Sequence, residues 1–120
     1  MYLAEHPAVA LIEVLVNLRA DPELLPETYQ LIKVEAPKSL AITELSSDAL
    51  PENWRENRVA TQALGDAWLK AGKTALLAVP SVPSPESLNY LLNPLHRDAP
   101  RLAVAWCKRL EYDQRLFQLR

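Results

Sequence analysis

Proline limits this chain more than any other residue: it has ten in 120 residues, against two glycines. A proline fixes φ and removes a backbone donor, so it ends helices and interrupts interior strands. The spacing of Pro7, Pro22, Pro26, Pro37, Pro51, Pro80, Pro83, Pro85, Pro94 and Pro100 cuts the chain into short elements. The glycines, Gly65 and Gly72, stand nowhere near a phosphate-cradling spacing, which excludes a P-loop and a dinucleotide-binding GxGxxG turn.

Between these breaks the pattern predicts particular elements. Pro7 suits a first helical turn, and Ala8 to Leu18 continue it without a breaker until Asp21-Pro22. Apolar residues cover nearly every face of that helix, which predicts a buried one. Tyr29 to Glu35 alternates as a strand with one wet face, and Leu40 to Leu45 reads as a weaker strand. Pro51 to Asn57 is a turn or short helix. Arg58 to Lys70 is a second helix, with Gly72 just past its end. Thr74 to Val79 is continuously apolar, as a central strand is. A proline-serine loop follows from Pro80 to Pro85. Ser87 to Leu92 is helical or extended, Arg101 to Arg109 is a strand, and the tail from Glu111 is exposed or at an edge. This order lacks regular βαβ alternation, so the expected fold is α+β, a mixed or split sheet with flanking helices, in one domain over residues 1–120.

Composition narrows the function classes. Hydrophobic residues make up 49% and charged residues 23% of the chain, which is enough apolar content to build a core and argues against disorder. The formal charge of −2 is spread without a basic stripe, which disfavours nucleic acid as a partner. The single cysteine, Cys107, makes neither an internal disulfide nor a cysteine zinc cluster. The longest apolar run is interrupted by Glu13 and too short for a bilayer, and it lacks the flanks of a signal peptide. A cytoplasmic protein with no metal is expected.

Few residues carry chemistry. Glu13 is the lone charge in an apolar helix; it is either a carboxylate aimed into a cleft or a marker of a wet face, and spacing alone favours the wet face, because charges on helices are usually solvated. Ser81 follows Pro80 at the end of the central strand, a usual place for a site residue, whereas Ser84 and Ser87 suit turns and caps. No nucleophile elbow and no suitably spaced histidine accompany Ser81, which excludes a serine hydrolase triad. His6 and His96 are too isolated to suggest a metal, and His6 before Pro7 suits a helix start. Trp54, Trp68 and Trp106 lack basic neighbours and read as core or interface residues.

The stretch from Tyr2 to Val16, with a tyrosine ahead of a helix bearing Glu13, resembles the conspicuous segment of the RES domain family. Leu50-Pro51-Glu52-Asn53-Trp54-Arg55, Gln62 to Leu69, Val79-Pro80-Ser81, Asn89 to His96 and Leu110 to Leu116 follow in that family's order. The resemblance implies an ADP-ribosyltransferase-like fold and a toxin of a bacterial toxin–antitoxin pair. It also implies NAD as substrate, consumed by hydrolysis or phosphorolysis or used to ADP-ribosylate a protein, and an Xre-like antitoxin as partner. It places the family glutamate at Glu13 and the family serine at Ser81. It points to Tyr2 and Asn93 as residues that bind NAD, and includes His96 in the same motif as Asn93 without a role. The family arginine, expected on a segment ahead of the tyrosine, has no counterpart in a chain beginning Met1-Tyr2, and none of Arg19, Arg55 or Arg58 stands in its motif. A polypeptide starting there is expected to bind NAD weakly or not at all, the alternative to an active toxin being an inactive module that only binds its antitoxin, and to expose an apolar first helix that favours self-association.

Overall fold

A computed structural model describes residues 1–18, 23 and 27–117. The predicted Pro22 and Pro26 breaks and Arg19 lie outside the described residues. Two sheets divide the chain. The larger has the strand order β1-β5-β4-β3, built from β1 (Tyr2–Ala4), β3 (Ile42–Glu44), β4 (Leu76–Pro80) and β5 (Leu88–Leu92); the smaller is a ribbon of β2 (Thr28–Glu35) and β6 (Ala103–Glu111). Only β3 and β4 run parallel, and the second helix, α2 (Arg58–Ala71), makes the crossover between them. The expected α+β class with a mixed and split sheet is therefore the observed one.

Burial concentrates on β4. Ala75, Leu76, Leu77 and Ala78 are each at most 4% exposed, because β3 and β5 cover both edges of their strand. That explains why its sequence is continuously apolar rather than alternating. Ser87 to Leu92, open between helix and strand in the sequence, is a strand; its partner β4 supplies a full ladder of backbone bonds from Leu76↔Leu92 to Pro80↔Leu88.

The first helix, α1 (Pro7–Asn17), begins as its sequence predicts. His6 is the N-cap, its Nδ1 accepting from the Ala8 N–H at 3.1 Å, and Pro7 occupies the first turn. The expectation that α1 is buried is overturned. Only Val9 is buried, and Ile12, Val14 and Val16 are 40–56% exposed. One face of the helix lies along β1, at the margin of the sheet, and among the described residues no second layer covers the other face. Apolar content all round a helix indicates burial only if elements pack on both sides of it.

α2 ends at Gly72, whose φ of 60° lies in the left-handed region and whose N–H reaches the Trp68 carbonyl at 3.2 Å. A Cβ there would meet nothing within 4 Å. Gly72→Ala therefore introduces conformational strain without a clash, and a loss of about 1 kcal/mol is expected in urea unfolding.

The ribbon pairs Thr28↔Glu111 through Glu35↔Ala103, with a bulge at Lys33/Val34. Of the tail that the sequence placed in solvent or at an edge, Glu111 and Asp113 to Arg115 are exposed, but Tyr112 is not. Tyr112 is 8% exposed, its ring 4.6 Å from that of Tyr29 and 6.1 Å from Phe117. Aromatic packing closes that end of a two-stranded ribbon that would be marginal alone. No helix among the described residues is long and apolar enough to cross a membrane.

Candidate functional site

At the C-terminal end of β4 the sheet holds two fully buried polar groups. Ser81 follows Pro80 directly, and Asn89 sits on β5 opposite Val79; both are fully buried. A buried polar group requires a partner, and both find the same one. The Ser81 hydroxyl donates to Glu13 Oε1 at 2.8 Å, and Asn89 Nδ2 donates to the same oxygen at 2.7 Å. Among the described residues, Glu13 Oε2 carries no hydrogen bond.

Local sequence explains how three separate elements meet here. The short loop after β4 is held by the Ser81 N–H to the Ser87 carbonyl at 2.9 Å and by the Ser84 N–H to Ser81 Oγ at 3.3 Å, so the Ser81 side chain is fixed. Ser84 and Ser87 join through their hydroxyls at 3.0 Å, the turn role their sequence suggests. α1 is tied down next to this loop. Glu5, just ahead of the helix, exchanges backbone contact with Leu88, donating its N–H to the Leu88 carbonyl at 3.1 Å and accepting the Leu88 N–H through Oε1 at 2.8 Å. Glu13, two helical turns on from the His6 cap, is then delivered to Ser81.

Tyr2 completes the cluster. Its phenol oxygen accepts from Asn89 Nδ2 at 2.8 Å, while the residue remains 52% exposed. Burial of the phenol pushes its pKa up, the nearby Glu13 carboxylate adds to that, and the Asn89 hydrogen bond opposes it. A pKa raised on folding contributes stability that is present below the ordinary tyrosine value near 10 and is lost as pH rises through the folded value. Tyr2→Phe is accordingly expected to lose less stability than the parent between pH 9 and 11, measured by urea melts.

A cleft of about 440 Å³ adjoins this cluster. Tyr2, Val79, Pro80, Val82, Leu77, Leu91 and the α2 residues Gly65 and Trp68 line it; Tyr2 and Pro80 connect it to the cluster, and Glu13 itself is not among its lining residues. The volume is within the range of small-molecule sites, which are mostly apolar with few polar anchors. Arg55 reaches the same loop, its Nε donating to the Val82 carbonyl at 3.1 Å. Among the described residues, no three His, Cys, Asp or Glu side chains converge as metal ligands would.

The structure thus brings Glu13, Ser81 and Tyr2 together and does not bring Asn93 to them. Asn93 donates its N–H to the Ala75 carbonyl at 2.8 Å, at the opposite end of β4, and its Oδ1 accepts from the Leu95 N–H at 3.1 Å. His96 stays in that loop, its Nδ1 accepting the Asp98 N–H at 3.0 Å. Sequence reasoning missed Asn89, and one signal was present: asparagine is depleted in strands, and this one stands within an otherwise apolar run. Arg55 gave no such signal, because its contact is with a backbone carbonyl.

The fold is α+β with a split sheet, and it anchors a helix-borne carboxylate at the end of its central strand, which is consistent with an ADP-ribosyltransferase-like domain. Known proteins narrow the class further. The RES domain model matches residues 1–116, and the chain belongs to that family. A protein named Toxin Res from Pseudomonas putida is 38% identical over 99 residues, 82% of this chain and 67% of the relative. The Prs ADP-ribosylating toxin of a Sphingobium species is 33% identical over 122 residues, 98% of this chain and 74% of the relative. A Toxin Res from Photorhabdus laumondii is 32% identical over 120 residues, with 97% and 74% covered. The matches span two thirds to three quarters of these relatives' own lengths.

Proposed function

We propose that this chain is the toxin of a toxin–antitoxin pair, that it consumes NAD by breaking the bond between nicotinamide and ribose, and that an Xre-like antitoxin protein covers its site. One observation carries the reading: Glu13 is gripped through Oε1 by a fully buried serine, leaving Oε2 available beside an apolar cleft.

The residues suit the substrate. Breaking the glycosidic bond leaves its electron pair on the nicotinamide nitrogen and builds positive oxocarbenium character on the ribose. A fixed carboxylate stabilises that charge, and accepting a hydrogen bond from a ribose hydroxyl would place it correctly. Water, phosphate or a protein side chain then takes the sugar carbon. Ser81, fully buried and bonded to Glu13, acts by orienting the carboxylate rather than by touching NAD. The half-exposed Tyr2 ring at the cleft wall is available to stack on nicotinamide. Asn93, at the other end of β4, enters the reading only as the residue that shapes its own loop.

The test is NAD loss with free nicotinamide release, using this chain and a form extended at its N-terminus by the preceding segment of a RES relative. Release by either supports the reading. If both fold and both leave NAD intact, the reading fails. The sugar product separates the acceptors: free ADP-ribose for water, its phosphate ester for phosphate, and a mass increase on a target protein for transfer. A relative named as an ADP-ribosylating toxin makes protein transfer the second reading. Co-elution with a co-expressed Xre-like protein tests the pairing, and separate elution counts against it.

A further inference from the structure

We propose that Asn89 is the positioning residue of this site, a clamp whose amide sets the Glu13 carboxylate and the Tyr2 phenol at a fixed distance from each other. The proposal rests on the reading of Glu13 and Tyr2 as site residues and assigns what holds them in register.

The geometry is specific. A single nitrogen, Asn89 Nδ2, has two protons; one goes to Glu13 Oε1 at 2.7 Å and the other to Tyr2 Oη at 2.8 Å. Those two partners come from different elements, α1 and β1, and among the described residues no hydrogen bond joins them directly. Asn89 comes from a third element, β5, whose own position is fixed by pairing on both sides: Asn89 lies between Ala4 on β1 and Val79 on β4. The clamp is thus mounted on the interior of the sheet, where the backbone moves least, and it is fully buried.

The other end of the amide shows which interaction this position serves. Asn89 Oδ1 is buried with no hydrogen-bond partner. Leaving an acceptor unsatisfied is unfavourable, and a leucine would avoid that while suiting the strand better. Turning the amide over does not resolve it, because Oδ1 would then face the carboxylate oxygen of Glu13. Only the two bonds from Nδ2 account for an asparagine here. The charged and titratable groups around it are Glu13 from α1 and Tyr2 from β1, with the Glu5 carboxylate one residue away on the Leu88 N–H.

Two variants test the clamp. Asn89→Leu removes both donors at similar volume, and Asn89→Val removes them with a smaller side chain that suits a strand, neither adding charge. The first readout needs no NAD: the ultraviolet titration of the Tyr2 phenol, isolated by subtracting the same titration of a Tyr2→Phe background. Because the Asn89 bond opposes the upward shift of the Tyr2 pKa, its loss moves the midpoint further up in both variants. An unmoved midpoint in a folded variant overturns the proposal; if the leucine variant does not fold, the valine variant decides by the same measurement. The second readout is the kinetics of nicotinamide release: kcat is expected to fall at least tenfold with KM within threefold, as positioning of a reacting group requires. An equal rise in KM with kcat unchanged overturns it. If no variant or parent releases nicotinamide, the NAD reading has failed, and the Tyr2 titration alone still decides whether Asn89 is the clamp.

Discussion

Glu13→Gln lowers nicotinamide release by on the order of 10²–10³-fold while leaving the fold intact, because it removes charge and little else. The substitution is isosteric. The amide oxygen accepts from Ser81 and Asn89 as the carboxylate oxygen does, so the hydrogen bonds at 2.8 and 2.7 Å have the same donors available. What disappears is the negative charge facing the sugar as it becomes oxocarbenium-like, which is the interaction that grows between ground state and transition state. The loss therefore belongs in kcat. Glu35→Gln, on the exposed end of the ribbon, is the matched control and keeps the parent rate. Initial rates by chromatography of nicotinamide make the comparison, with thermal melts of all three proteins. A Glu13→Gln rate within threefold of the parent would remove Glu13 from the chemistry.

Leu77→Ala is expected to destabilise the protein by about 2–5 kcal/mol, read from urea midpoints with the slope unchanged. Leu77 is 2% exposed and is the second residue of β4, paired to Leu91 on one side and Thr43 on the other. Its side chain faces the cleft beneath α2, so truncation both loses apolar burial and enlarges a space that strand and helix backbones cannot collapse to fill. That is a large share of the stability of a domain this size. By contrast, Val59→Ala on the outer surface of α2, at 79% exposure, is expected to change the midpoint little. Comparable losses in the two variants would mean that β4 is not the core.

Much of this arrangement was legible in the chain. Pro7 and the His6 cap announced the first helix, Gly72 the end of the second, and the apolar run Thr74 to Val79 the central strand, because each signal acts within a few residues of itself. Ser87 to Leu92 stayed ambiguous for the opposite reason: a short apolar run becomes a strand only when a partner supplies its ladder, and β4 is that partner. α1 shows the same limit. Its composition indicated burial, but how much of a helix is covered depends on what packs against it. Tyr112 was read as part of an exposed tail, and only its long-range partner Tyr29 makes it a buried residue.

The sequence by itself determined where most elements lie, the α+β class, the resemblance to the RES domain, and that Glu13 and Ser81 were the residues to watch. These follow from local stereochemistry and from motif order. Tertiary structure alone decided whether Glu13 was wet or held. The carboxylate is 68 residues from Ser81 and 76 from Asn89 along the chain, and a hydrogen bond across that separation exists only because β1, β4 and β5 are adjacent in one sheet. It also decided that Asn93 lies at the far end of β4 and that Asn89, which no motif reading singled out, stands between Glu13 and Tyr2. Local rules set where a side chain sits along its strand; the pairing of strands sets what it meets.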